Sequence, residues 1–158
     1  MRRILVTGMS GTGKSTVLAQ LQRLGFEVVD TDEGGYTEWS EKEGGYVWRE
    51  DRVAELLNCE FENSLYVSGT VSNQARFYQR FDAVVLLSAP ADVLLHRIES
   101  RTTNPYGKAE EERALILSDL ADVEPLLRAG CTHEIDATQP VDDVVTKLVA
   151  IGLDEPPE

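Results

Sequence analysis

Eight consecutive residues, Gly8-Met9-Ser10-Gly11-Thr12-Gly13-Lys14-Ser15, satisfy every position of the pattern G-x-x-x-x-G-K-[ST]. The chemistry served by this spacing is the capture of a polyphosphate. Gly8, Gly11 and Gly13 let the backbone curl so that successive N–H groups point inward at phosphate oxygens. Thr12 and Thr16 extend that row of amides, Lys14 reaches the terminal phosphates, and the Ser15 hydroxyl helps to hold Mg²⁺. The alternative is a glycine-rich turn that binds nothing. Context argues against it. Ile4, Leu5 and Val6 precede the loop as a short buried strand, and Val17, Leu18, Leu21 and Leu24 follow it on one face of a helix. The positive N-terminal end of that helix faces the same anion. A nucleoside triphosphate site is the expectation.

Other candidate groups carry an open alternative each. Asp30 and Asp32 end the apparent strand Phe26-Glu27-Val28-Val29. In a strand they point the same way, so one can orient Mg²⁺ through water while the other accepts a proton from a hydroxyl; the alternative is a strand-end turn with solvated acids. Arg97 and Arg101 are four apart on one helix face, suited to stacking and bidentate phosphate contacts, or else solvated and tied to Glu99 or Asp92. Arg49 and Arg52 open a helix in Trp48-Arg49-Glu50-Asp51-Arg52, where a surface ion network is the other reading. Tyr36, Trp39, Tyr46 and Trp48 either stack on a base or sugar ring or form a small satellite core.

The elements that must position these groups alternate as in an α/β domain. Glycine-punctuated chain from Gly34 to Gly45 leads to a helix from about Arg49 bearing Val53, Leu56, Leu57 and Phe61. Ser64 to Ser68 and the apolar Ala83 to Leu87 read as the third and fourth strands, the latter suited to a parallel sheet covered on both faces. A helix with Leu94, Leu95 and Ile98 follows Pro90, and another carries Ile116, Leu120, Val123 and Leu127, with Pro125 kinking or ending it. His133 to Ile135 is the last strand, and Val141, Val144, Val145, Leu148 and Val149 mark the closing helix. One domain over residues 1–153 is expected, with a frayed tail at 154–158.

Bulk properties narrow the partners. The 158 residues carry 28 acidic and 15 basic side chains, a net charge of −13 that repels nucleic acid and anionic membranes. No apolar run approaches the roughly 20 residues of a membrane helix, and the apolar stretch after Arg2-Arg3 is short for a secretory signal, so cytoplasmic residence is expected. Cys59 and Cys131 read as reduced thiols in or near the core. Oligomeric state is open.

From first strand to last helix the chain resembles the nucleoside monophosphate kinase and shikimate kinase superfamily, small kinases with an AAA-type phosphate loop. Besides the loop, the resemblance rests on Asp30-Thr31-Asp32, on Ala83 to Pro90 followed by Leu94 to Arg101, and on Glu134-Ile135-Asp136-Ala137-Thr138 with Pro140 and Val141. It implies a three-layer P-loop fold, with a five-stranded parallel sheet in the order 2-3-1-4-5, helices on both faces and a short lid over 102–112. It also implies an ATP- and Mg²⁺-dependent phosphotransferase. By resemblance Asp30 takes the metal side and Asp32 the substrate side, while Arg97 packs over the adenine and Arg101 reaches the phosphates, making Lys14, Asp32 and Arg101 the catalytic set. Lys108 is a candidate lid residue. Residues 34–62 would cradle the acceptor, with Arg49 and Arg52 clamping a phosphate or carboxylate and Gly69 allowing close approach.

Departures leave the acceptor unnamed. The stretch Ser68-Gly69-Thr70-Val71-Ser72-Asn73-Gln74 has neither the D-G-x-P-R of adenylate kinases nor the glycine triplet of shikimate kinases, though Gln74 and Arg76 remain acceptor candidates. No N-K-x-D element is present, and Asp32-Glu33-Gly34-Gly35 is a weak match to D-x-x-G. The lid has no cysteine tetrad for zinc. Transfer to a nucleoside monophosphate, a shikimate-like compound or another hydroxyl compound leads. A nucleotide-binding switch or slow ATPase acting through a protein partner is the alternative class, and an antibiotic-modifying or nucleoside kinase is a third.

Overall fold

A computed structural model of the chain describes residues 1–100 and 109–155. Its elements run β1 (Arg3–Thr7), α1 (Lys14–Arg23), β2 (Glu27–Asp30), β3 (Thr37–Ser40), β4 (Gly45–Trp48), α2 (Glu50–Asn58), β5 (Leu65–Ser68), a 3-10 helix (Gln74–Arg80), β6 (Ala83–Ser88), α3 (Ala91–Ser100), α4 (Glu110–Asp122), α5 (Glu124–Gly130), β7 (His133–Asp136) and α6 (Val141–Gly152). The main sheet is ordered β2-β5-β1-β6-β7, and every pairing in it is parallel. Counting only these five strands along the chain gives the expected 2-3-1-4-5; the inserted β3 and β4 alone change the labels.

Strand alternation sorts the interior into two layers. Ile4, Val6, Tyr66, Val85 and Leu87 face Val17 and Leu21 of α1 and Val144, Val145 and Leu148 of α6. Their neighbours Leu5, Leu65, Val67 and Val84 face Val53, Leu56 and Leu57 of α2 and Phe77 and Phe81 around the 3-10 helix. Residues 4–7 of β1 are fully buried because helices cover both faces of a central parallel strand. Every central strand therefore ends at one rim of the sheet, where the phosphate loop follows β1.

Several expectations needed correction. The glycine-punctuated stretch is an antiparallel hairpin, β3 and β4, with Trp39 opposite Tyr46 and Thr37 opposite Trp48. The 3-10 helix had no sequence signal of its own, since its two buried residues, Gln74 and Phe77, are one polar and one apolar and so show no apolar period to read. Pro125 neither kinks nor merely ends a helix. It sits in the first turn of α5, where its missing N–H has no helical partner to lose. Cys59 is exposed and Cys131 partly buried, both free thiols. Phe61 lies beyond the end of α2 and still packs on its core. Residues 102–108 of the expected lid lie outside the described residues, and Glu110 to Glu112 already belong to α4. Of the tail, Asp154 pairs with Arg2 at 3.2 Å and the Glu155 amide donates to Ala150 O at 2.9 Å; residues 156–158 lie outside the described residues.

The closing helix is locked to the sheet by two buried bonds, Tyr66 Oη to Leu148 O and Ser64 Oγ to Gly152 O, each 2.7 Å. A β-carbon on Gly152 would collide with the Tyr66 phenol. Gly152→Ala is therefore expected to lose about 2 kcal/mol despite alanine's better helix propensity. That corresponds to a melting temperature roughly 4–8 °C lower; an unchanged thermal melt would contradict this packing.

Candidate active site

The loop is shaped from beneath before any phosphate is considered. Gly8 lies so close to β6 that a β-carbon would sit 2.5 Å from Leu87 O, and Gly13 starts α1 in the left-handed region at φ 90°. Thr70, just after β5, donates to Gly8 O at 2.7 Å, accepts from Gly8 N at 3.3 Å and meets Thr7 Oγ1 at 3.1 Å. Gln74 supports this contact, donating to Thr7 Oγ1 at 3.1 Å and to Tyr78 Oη at 2.9 Å while accepting from Val71 N. Gln74 is 2% exposed, so it is an internal brace, and the expectation of an acceptor contact is corrected.

Thr12 turns its hydroxyl inward to Met9 O at 2.9 Å, and its amide donates to the same oxygen at 3.4 Å, so this residue closes the turn of the loop. The first-turn amides of Lys14, Ser15 and Thr16 have no intrahelical partner, as at any helix start, and the Ser15 and Thr16 side chains are exposed there. Lys14 curls back over the loop, donating to Gly8 O at 2.6 Å and Met9 O at 3.1 Å. Burial pushes its pKa down to about 8 against the opposing pull of Asp32 and Asp30.

The carboxylate turn departs from simple strand alternation. β2 ends at Asp30, whose Oδ1 accepts from Asp32 N at 3.0 Å, a local Asx turn. Thr31 between them is fully buried. Asp32 is held above the ordinary carboxylate value, first by partial desolvation and then by Asp30, with Lys14 opposing. The strand-end turn does form, and it leaves both carboxylates near enough to the loop lysine for their charge to bear on it.

Arg97 is neither solvated nor tied to Glu99 or Asp92. It donates to Gly11 O in the loop at 3.3 Å and to Ala137 O beyond β7 at 2.5 Å, bridging the loop to the segment that the family resemblance makes the base side. Arg101 and Lys108 lie outside the described residues.

On the acceptor side, Arg49 caps α2 and its amide donates to Tyr36 O at 2.7 Å. Its guanidinium is half-exposed and 3.9 Å from Asp51. Arg52 lies 5.2 Å over the Tyr36 ring and donates to Gly34 O at 3.3 Å. Arg76 pairs with Glu50 at 3.0 Å, so part of the surface network foreseen at this helix start does form. A cavity of about 430 Å³ beside Arg52 is lined by Tyr36, Glu55, Leu56 and Cys59, on the flank of α2 and away from the loop. Gly69 approaches no open face; a β-carbon there would strike Thr31 Oγ1 and come within 3.1 Å of Trp48 Nε1. The four aromatic residues divide. Trp48 is core, Tyr36 carries Arg52, and Trp39 and Tyr46 form an exposed edge-to-face pair at 5.4 Å. Thr31 and Thr70 were missed as parts of the site, and only the placement of Thr31 within D-T-D could have signalled one of them; for Trp48 the core alternative holds.

A phosphate loop on the central strand, a paired-carboxylate turn on its neighbour's neighbour and an arginine bridge to the base side define a P-loop small-molecule kinase. The chain belongs to the AAA domain family AAA_18, whose profile matches residues 4–118. It is similar to shikimate kinase 2 of Yersinia enterocolitica, 29% identical over 96% of both chains. Its fold is shared with shikimate kinase from Acinetobacter baumannii in complex with shikimate, at a TM-score of 0.68 and 23% identity, covering 98% of this chain and 94% of that one. Deoxyadenosine kinase from M. mycoides with bound dATP aligns at a TM-score of 0.62 and 18% identity, over 98% of this chain and all of that one (100%).

The lowered pKa of Lys14 has two consequences of opposite sign. From about 8 up to the free value of 10.5, the unfolded chain holds a proton that the folded chain has released, so this group's contribution to stability rises with pH. Polyphosphate favours the ammonium form, so nucleotide affinity falls over the same interval. Relative to Lys14→Met, the natural chain is expected to gain melting temperature above about pH 8 while its ATP affinity drops by up to roughly tenfold per pH unit. Melts and calorimetry across that range check both signs.

Proposed function

We propose that this chain transfers the γ-phosphoryl group of ATP, with Mg²⁺, to a hydroxyl or phosphate oxygen of a small-molecule acceptor. The observation carrying this is the convergence of Lys14, Asp32 and Asp30 beside the loop, where both carboxylates bear on the Lys14 ammonium and Asp30 and Lys14 bear on the Asp32 carboxyl. Phosphoryl transfer asks for alignment, charge neutralisation and exclusion of water rather than covalent help. The loop amides from Gly11 and from Gly13 through Thr16 hold the phosphates, and Lys14 exchanges its two carbonyl partners for terminal phosphate oxygens.

Ser15 and Asp30 are the residues that would hold Mg²⁺. Among the described residues no group of three His, Cys, Asp or Glu side chains is arranged around an ion. One hydroxyl and one carboxylate, completed by substrate phosphates and water, is the sparse set this ion commonly takes. Bound there, the ion would neutralise charge on the phosphates. Asp32, its proton affinity raised above that of an ordinary carboxylate by partial burial and by Asp30, takes the proton from the acceptor hydroxyl. Arg97 keeps the base side in register with the loop, Arg49 and Arg52 border the acceptor, Gly69 serves the packing beneath them, and Arg101 would meet the phosphates by family resemblance. Two arginines on an otherwise acidic chain favour an acceptor bearing a carboxylate or phosphate. Nucleic acid and membrane surfaces are poor partners for a net charge of −13, and ATP as donor implies cytoplasmic residence.

One observation favours a second reading. The exposed pair Trp39 and Tyr46 offers a protein partner an aromatic contact, which suits a nucleotide-dependent switch or slow ATPase. ATP turnover measured against a panel of nucleotides, shikimate and sugars separates the two: strong stimulation by one compound supports transfer, and stimulation by none with recovery of a protein partner supports the switch.

Lys14→Ala is expected to abolish ATP binding in calorimetry while the melt stays cooperative. Asp32→Asn is expected to lower kcat by about 10²-fold or more with ATP affinity nearly unchanged. Equal losses in rate and affinity would move Asp32 to the nucleotide or metal side.

A further inference from the structure

Trp48 joins three segments of the site through bonds that its burial makes obligatory. Its ring is 1% exposed and packs edge-on to Phe77 at 5.7 Å and tilted to Phe81 at 6.5 Å. An indole buried so deeply needs an acceptor for its one N–H. That acceptor is Thr31 Oγ1 at 2.9 Å. The Thr31 hydroxyl in turn donates to Ser68 O on β5 at 2.7 Å, and the Thr31 amide donates to the same oxygen at 3.0 Å. The Trp48 backbone is clasped by Asn73, whose Oδ1 accepts from Trp48 N at 2.9 Å and whose Nδ2 donates to Trp48 O at 3.0 Å. Arg49, the next residue, caps α2.

The position of Thr31 gives this chain of bonds its meaning. It stands between the partly buried Asp30 and the exposed Asp32, so the bonds that hold Thr31 inward fix the turn that carries both carboxyl groups. Gly69 fits the same account, because any larger residue would fill the space in which indole and hydroxyl meet.

We propose that Trp48 and Thr31 are a positioning pair: the indole–hydroxyl bond sets the direction of the Asp32 carboxyl group and ties it to the start of α2, so that the acceptor-side helix and the proton-accepting group move as one body. This rests on the phosphoryl-transfer reading above. Neither residue touches a reactant; both act through Asp32 and Arg49.

The test uses Trp39→Phe as the reference chain, in which Trp48 is the sole indole of the two tryptophans. Four variants are made in it: Thr31→Val, which keeps the volume without the hydroxyl, Thr31→Ser, which keeps the hydroxyl, Trp48→Phe, and Thr31→Val with Trp48→Phe. Mg-ATP is expected to change the Trp48 emission in the reference chain and in Thr31→Ser, but not in Thr31→Val, although calorimetric ATP affinity stays within about threefold. At saturating ATP and acceptor, kcat is expected to fall about tenfold in Thr31→Val and in Trp48→Phe, to be retained in Thr31→Ser, and to fall no further in the double variant. Lower melting temperatures with unchanged kcat and an unchanged emission response would overturn the pair as a positioning device and leave it as packing. If ATP binds and no acceptor is turned over, the emission response alone decides. Absence of any ATP heat in the reference chain would instead sink the phosphoryl-transfer reading, and this inference with it.

Discussion

A single carbonyl oxygen, that of Gly8, gathers the parts on which the site depends. It accepts from Thr70 Oγ1 and from Lys14 Nζ, and the residue that bears it is pressed against the Leu87 carbonyl of β6. The loop is thereby anchored to β1, to the turn after β5 and to β6 together. A cradle held in this way does not reorganise when charge arrives, and preorganised donors in a partly dry site are worth more than the same donors free to relax. Lys14 waits within the cradle on two backbone oxygens, so phosphate oxygens replace partners of like kind.

The same local arrangement answers the electrostatic problem of an acidic protein handling an anion. The net charge of −13 works against a nucleotide at long range, and screening confines that opposition to roughly a Debye length. Close in, the donors are backbone amides, a helix start, Lys14 and Arg97. Among the described residues neither cation has a carboxylate within ion-pair distance; both are held by main-chain oxygens. Their charge is positioned without being neutralised.

Much of this was legible in the sequence where local pattern and tertiary role coincide. The loop motif and the five strands of the main sheet follow from a short apolar strand, a glycine-rich turn and alternating helical faces, while their order came with the family resemblance. What resisted reading was chemistry that only packing reveals. Gly34, Gly35, Gly44 and Gly45 suggested irregular chain, and all but Gly45 take positive φ, but the first two lead into a hairpin and the last two lie at its turn, and its cross-strand aromatic pair is obvious only once register is known. Thr31 looked like a spacer between acids until an indole from a distant turn claimed its hydroxyl. Gln74 looked available to a ligand, whereas its three bonds lie under the loop. Pro125 signalled a break correctly but on the wrong side, since one proline serves equally to stop a helix and to begin one.

The hairpin leaves and rejoins the body at one place. Tyr36 O and Arg49 N are bonded at 2.7 Å, so the twelve positions between them, 37–48, form a detour whose two ends meet. A detour closed at its root is modular. Its length and its outward residues can be rewritten generation by generation while the anion cradle beneath keeps its geometry, which gives a lineage of such proteins an inexpensive way to explore new clients around an unchanged engine.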